Sequence, residues 1–236
     1  MGSAKRLFIA MVVIFSIIVS LCVAFYGQIA VMLFAKSNNL DISYKRLQAS
    51  NFTNFVFTDL KTTQHNKGTG LFSSSAKVRL ILNGPDPRKA TTDFLLYNVH
   101  FITSGIIKEA SYNNIDGLVA MPFSELWNYK EISGKIIPAA DGIFINNFMA
   151  TGDSIRLSFN GLLTNDNCIK ADIGIYFESK LIGKIPPDLT NMALKDSGDG
   201  WKSLTVKLEG DLSKPSIQVT GKLFRLNIGI KPGKPS

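Results

Sequence analysis

The sequence predicts a mainly β protein with one N-terminal transmembrane helix, its sheet an antiparallel meander carrying two short helices. Three observations predict it: an uncharged run from Leu7 to Ala35, a period of two in the apolar residues after Lys36, and turn residues recurring at short intervals. The expected organisation is a short basic N-terminus over 1–6, an anchor over 7–35, one β domain over 36–230 and a disordered tail over 231–236.

The anchor reads LFIAMVVIFSIIVSLCVAFYGQIAVMLFA after the basic pair Lys5 and Arg6. As a helix it would be roughly 44 Å long at about 1.5 Å per residue, against a hydrocarbon core of ~30 Å. One span suffices, with tilt or with one end protruding. The competing reading is a cleaved secretory signal with Cys22-Val23-Ala24 near the cut. A signal's apolar region is only about 7 to 15 residues long, and cleavage there would leave Ile29 to Phe34 as an exposed remnant. The flanking charges, Lys5 and Arg6 before the run against Lys36, Lys45 and Arg46 after it, leave orientation open.

Downstream of Lys36 the clearest strand places Ile169, Ala171, Ile173, Ile175 and Phe177 on one face and Lys170, Asp172, Gly174, Tyr176 and Glu178 on the other. The same alternation runs through Ala76–Leu82, through Leu95, Tyr97, Val99 and Phe101, through Ile155–Phe159 and through Leu204–Leu208. Turn signals at Asn83-Gly84-Pro85, Ala140-Asp141-Gly142, Gly152-Asp153, Asn165-Asp166-Asn167 and Gly210-Asp211 predict hairpins between neighbours. Connections this short between 134 and 178 exclude a parallel α/β sheet. Two segments depart from the pattern: Pro122–Lys130, with Pro at a helix-start position, and Pro186–Asp196, with Leu189, Met192 and Ala193 at helical spacing. Both are expected as short helices capping the sheet. The tail KPGKPS is too polar and too rich in Pro and Gly to order by itself.

The net charge of +8 falls to +6 once Lys5 and Arg6 are set aside. The lysines are scattered along alternating strands and form no clustered stripe, which argues against nucleic acid as a partner. A mildly basic surface suits either plain solvation or an anionic bilayer. Cys22 lies in the apolar run and Cys168 in the domain, so no disulfide framework arises, and Cys168 reads as a small buried hydrophobe. Asn51-Phe52-Thr53 is a glycosylation sequon, meaningful only in a eukaryotic secretory pathway.

The sequence carries no G-x-S-x-G, H-E-x-x-H, P-loop or paired-cysteine metal motif. Gly68-Thr69-Gly70 reads as a turn, His65 and His100 as surface histidines, and the carboxylates are too dispersed to form an acid/base pair. A non-enzyme without cofactor or metal is expected. Trp127 and Trp201 read as core anchors.

The C-terminal half carries a family likeness. Gly134-Lys135-Ile136, Asp141-Gly142-Ile143, Ile155 to Gly161, Ile169 to Phe177, a short helix and the ending Gly200 to Pro215 together resemble the C-terminal module of AsmA-like envelope proteins. The ending is a strand Leu204-x-Val206-x-Leu208-x-Gly210 followed by Leu212 and Pro215, and it is the most specific part. The anchor, Ile42–Lys61 and Gly70–Leu82 are similar to the modules that begin such proteins, so the resemblance covers nearly the whole chain. It implies an anchor in a bacterial inner membrane, a periplasmic domain built on a strongly curved antiparallel sheet, and membrane lipids held on an apolar concave face. It also implies envelope or secretion proteins as partners, because short members of the family include a scaffold subunit, protein N, of type II secretion systems. At about 4.8 Å per strand, some nine strands extend only about 40 Å, too little to bridge a periplasm.

On this reading the candidate lipid groove is the apolar face of three strands: Ile155, Leu157 and Phe159; Ile169, Ile173, Ile175 and Phe177; Leu204, Val206 and Leu208. The alternation itself fits two outcomes. In a sandwich these residues pack on one another as core, and in an open sheet they line a groove where alkyl chains gain about 0.8 kcal/mol per buried methylene.

Overall fold

Alternating sequences become strands because successive side chains leave opposite sides of an extended backbone, and among the described residues thirteen such segments join one antiparallel sheet. The computed structural model describes residues 26–28, 31–32, 35–36, 39–51, 53–65, 68–84, 89–102, 114–211 and 214–229. Most of the predicted anchor, residues 7–25, 29–30 and 33–34, lies outside the described residues, as do 1–6 and the predicted tail at 231–236. Among the described residues no helix is long and apolar enough to cross a membrane.

The strands are β1 (Leu40–Ser43), β2 (Arg46–Asn51), β3 (Asn54–Gln64), β4 (Gly70–Ile81), β5 (Thr91–Ile102), β6 (Asn128–Ala139), β7 (Gly142–Gly152), β8 (Ile155–Thr164), β9 (Cys168–Glu178), β10 (Lys195–Asp196), β11 (Trp201–Asp211), β12 (Ser216–Thr220) and β13 (Arg225–Gly229). The order is β1-β3-β4-β5-β6-β7-β8-β9-β11-β12-β13, a meander throughout, with the two-residue β10 paired to β11. Strands β1 and β2 lie end to end along one side of β3: Leu40 pairs with Gln64 and Arg46 with Thr58. The intervening Lys45 N–H reaches the Thr58 carbonyl at 2.9 Å. At the opposite edge stands β13, paired with β12.

The first half of the sheet contains a kink that the alternation hides. Asp59 in β3, Asn98 in β5 and Asn147 in β7 adopt left-handed φ values of 54° or less: 51°, 49° and 52°. Asn and Asp tolerate this region better than other side chains. Each kink shifts the face by one residue. In β5 the buried side carries Phe94 and Leu96 before Asn98, and Val99 and Phe101 after it. The sequence reading that grouped Leu95, Tyr97, Val99 and Phe101 is therefore corrected. Leu95 and Tyr97 face the other way, and the Tyr97 ring lies 5.6 Å below the Lys77 ammonium. Strands β3 and β4 shift at the same level, from Phe57 to Leu60 and from Ala76 to Ser73, so the seam crosses adjacent strands. Bulges of this kind bend a strand and increase its twist.

Among the described residues, three short helices sit at one end of the strands: α1 (Ile115–Ala120), continued by a 3-10 turn at Met121–Phe123, then α2 (Ser179–Ile182) and α3 (Pro187–Ala193). Helix α1 starts at Asn114, whose carboxamide oxygen accepts from Gly117 N–H at 2.7 Å. The helix expected over Pro122–Lys130 thus ends by Phe123, and Asn128–Lys130 already belong to β6. The strand continues because Tyr129 is wholly buried on the core face and pairs with Val99. The helix expected over Pro186–Asp196 is present but shorter, as α3, with Pro187 at its first position and Ala193 at its last, because Lys195–Asp196 pair with β11 as β10. Its last carbonyls are occupied by the turn before β13, where Lys222 N–H bonds Ala193 and Leu223 N–H bonds Met192. The turn expected at Gly210-Asp211 falls inside β11, whose pairing with β9 runs to Asp211.

One core cluster joins these parts. It links Phe55 and Phe57 of β3, Leu118 and Met121 of the α1 region, Leu181 and Ile185 around α2, and Leu194 after α3 to the apolar faces of β5 through β12.

Candidate functional site

Residues paired directly across antiparallel strands share a face, which makes the apolar surface traceable strand by strand. One row runs Leu47, Phe57, Ala76, Leu96, Ile132, Ala150, Leu157, Ile175 and Leu204 through successive pairs from β2 to β11. The next row, nearer the helix-free strand ends, runs through Phe94, Phe148, Phe159, Ile173, Val206 and Val219. All ten predicted groove residues share this face.

Burial along the face is graded. Ile155, Leu157, Ile175, Phe177, Leu204 and Val206 are covered almost completely, and Ile173 nearly so. The first four of these stand toward α2, which packs on β9 and β11, and Leu181, Ile185 and Leu194 join the same cluster. Phe159, Ile169 and Leu208, toward the opposite ends, are only half-buried. The predicted set therefore divides into seven residues that pack as core and three near an uncovered rim.

The rim has further members that the sequence reading did not single out. Ile143 pairs with Leu163 and Leu163 with Ile169, while Ile136, Ile145, Gly161, Ala171, Leu208 and Ile217 form the adjoining row. Ile143 is 43% exposed, and Ile136, Ile145, Leu163 and Ile217 are half-buried. The signal was present, since Gly142-Ile143-Phe144-Ile145 follows a turn. What it lacked was a face, because the bulge at Asn147 decides on which side Ile145 and Phe148 fall. The same rim continues to Leu82, just after β4, which is 54% exposed.

Between core and rim lies a band of aromatic rings. Phe94 and Phe148 stand 6.2 Å apart across Gly134, and Phe148 meets Phe159 edge-on at 6.2 Å. Gly134 is required here for space: a Cβ would stand 2.8 Å from Phe94 Cζ and 3.2 Å from the Phe148 backbone.

A second feature, a cleft of mixed polar and apolar lining, lies at the β1 edge. Gln28, Val31, Met32 and Ala35, with Leu40–Tyr44 and Lys61 and Thr63, line a cleft of about 500 Å³. Tyr26 and Val31 pack against the core, and the Tyr26 ring meets Phe55 edge-on at 6.3 Å.

The remaining titratable candidates sit apart. His65 is exposed and lies 3.1 Å from Asp41 across the β1–β3 pair, and exposed His100 stacks on Phe72 at 4.9 Å. Desolvation, and then the charges of Asp166 and Asp211, push the half-buried Cys168 thiol up, making it a poor nucleophile near neutrality. Trp127 packs against the core as expected. Trp201 does not: it lies on the other face of β11, its ring 3.9 Å from the Arg156 guanidinium.

Compared with known proteins, the chain matches no family model, no curated protein and no solved structure.

Proposed function

We propose that this chain is a non-catalytic, membrane-anchored β-sheet protein that binds lipid along its apolar face and helps transfer it in the envelope of a bacterium. The observation that carries the reading is the graded face, sealed at the helix-capped strand ends and half-exposed from Leu82 through Ile143, Leu163 and Ile169 to Ile217. Apolar side chains left half-covered in contiguous rows are surface that water solvates poorly and that alkyl chains cover favourably. The sealed part holds the fold, and the rim receives the chain.

The test is lipid extraction from the purified full chain, followed by uptake of a fluorescent fatty acid. Lipid should copurify, and Leu163→Asp with Ile169→Asp should lower uptake while the melting temperature stays within a few degrees. A wild-type protein that carries no lipid and takes up no probe would sink the reading.

A second reading, a scaffold subunit of an inner-membrane secretion platform, is favoured by the β13 edge. Its outer side pairs with no strand among the described residues, and the exposed Met192, Leu223 and Leu226 stand beside it. An edge strand flanked by apolar side chains suits strand addition by a protein partner. Crosslinking from an introduced cysteine at Leu226 decides: recovery of a secretion subunit supports the scaffold, and recovery of lipid alone counts against it.

A further inference from the structure

The described residues in the C-terminal third of the apolar run pack on the sheet. Residues 26–28, 31–32 and 35–36 are helical and lie along β1 and β2. The Tyr26 hydroxyl donates to the Asn51 carbonyl at 2.5 Å, and buried Gly27 places its Cβ direction 3.4 Å from Ala49 and Leu47. Val31 and Ala35 instead face the Leu40–Tyr44 segment across the cleft. The helical residues therefore run antiparallel to β1–β2, with Tyr26 at the Asn51 end.

That placement changes the arithmetic of the anchor. Tyr26, Gly27 and Val31 pack on the domain, and the part of the run that precedes them in the sequence, Leu7 to Phe25, is an uncharged stretch of 19 residues. As a helix this is about 28 Å long, close to the ~30 Å hydrocarbon core, whereas the whole run overshoots by half.

We infer that the bilayer surface passes at Tyr26 and that the domain docks directly on a phospholipid bilayer, without a linker, through the strand ends carrying the β2–β3 turn and Leu82. The inference rests on the membrane-anchored reading above. Tyrosine suits the interface, with an apolar ring and a polar tip. The Leu80 N–H is bonded to the Thr53 carbonyl at 2.7 Å, so exposed Leu82 stands beside the turn that follows Asn51. The uncovered rim begins there, and the bilayer supplies the apolar surface that Leu82 lacks.

The experiment uses the full chain in nanodiscs of phosphatidylcholine and phosphatidylglycerol with brominated acyl chains. A single cysteine carrying an environment-sensitive fluorophore is placed by Leu82→Cys or His65→Cys in a Cys22→Ser, Cys168→Ser background. His65 is exposed at the opposite strand ends, and circular dichroism checks that each protein keeps its sheet. Emission at position 82 should be blue-shifted and lose intensity to bromine, while position 65 shows neither effect. If the protein stays with the nanodisc but position 82 is quenched no more than position 65, the docking inference is overturned and the anchor stands. If alkaline carbonate strips the protein from membranes, the anchor reading itself falls, and the docking with it.

Discussion

The Asn98 carboxamide donates to the Ser74 hydroxyl at 3.0 Å, across the seam where β4 and β5 both shift their buried face by one residue. The Ser74 hydroxyl in turn lies 3.2 Å from the Tyr97 carbonyl. Asn98 itself is held at φ 49°. The bond and the left-handed backbone together keep Leu96 and Val99 on the core side though they are three residues apart.

This makes Asn98 a discriminating position. Asn98→Gly should change stability by less than about 1 kcal/mol, because glycine adopts the left-handed conformation freely and the lost bond is exposed. Asn98→Val should cost roughly 2 kcal/mol or more, since a β-branched side chain is strained there. Urea denaturation of both variants provides the comparison, and equal costs would refute the kink as the determinant.

Gly134 is expected to resist enlargement for a different reason. Gly134→Val drives a side chain into Phe94 and the Phe148 backbone, with a cost of about 1 to 3 kcal/mol. Adding Phe94→Leu should recover part of it, and a double-mutant cycle measures the coupling. Strict additivity would show that the two positions do not share the space.

Ile175 and Ile169 separate core from rim on one strand. Ile175 is 0% exposed, so Ile175→Ala should lower stability by about 2 to 4 kcal/mol. Ile169→Ala should cost well under half of that, because its side chain is only half-covered. Thermal melts of the two variants check the gradient directly.

Tyr129 predicts a particular loss of stability in alkali. Its hydroxyl donates to the Pro122 carbonyl at 2.8 Å, and burial holds its ionisation well above the ordinary tyrosine range. The unfolded chain ionises near pH 10, so the contribution of this group is intact below about pH 10 and is lost as pH rises toward the folded value. Stability should therefore fall progressively as pH rises above about 10, and fall less in Tyr129→Phe, which starts about 1 kcal/mol lower for want of the hydrogen bond. Parallel pH profiles for the two proteins would expose the idea as wrong.

Much of the second half of the sheet was readable because nothing interrupts it. Strands β8, β9 and β11 alternate through Ile155–Phe159, Ile169–Phe177 and Leu204–Leu208, and the turns at 140–141, 153–154 and 165–167 carry Asp, Asn and Ser where the hairpins need them. The three predicted apolar faces consequently meet in register, Leu157 against Ile175 against Leu204. The first half was less readable. A left-handed residue at 59, 98 or 147 turns the strand over without altering the spacing of apolar letters, so the reading of β5 put Leu95 and Tyr97 on the wrong face.

The sequence by itself determined the period of two, the hairpin order from β6 to β9, the helix at Pro187 and the single long apolar run, because each depends on neighbours within a few residues. Tertiary structure alone decided which apolar residues are sealed and which form a rim, since burial depends on where α2 comes to rest over β9 and β11 and on Leu194 joining the same cluster. It also decided that Tyr26 belongs to the domain. Tyr26 and Gly27 pack on Phe55, Leu47 and Ala49, contacts more than twenty residues apart in sequence that hydrophobicity along the chain does not encode.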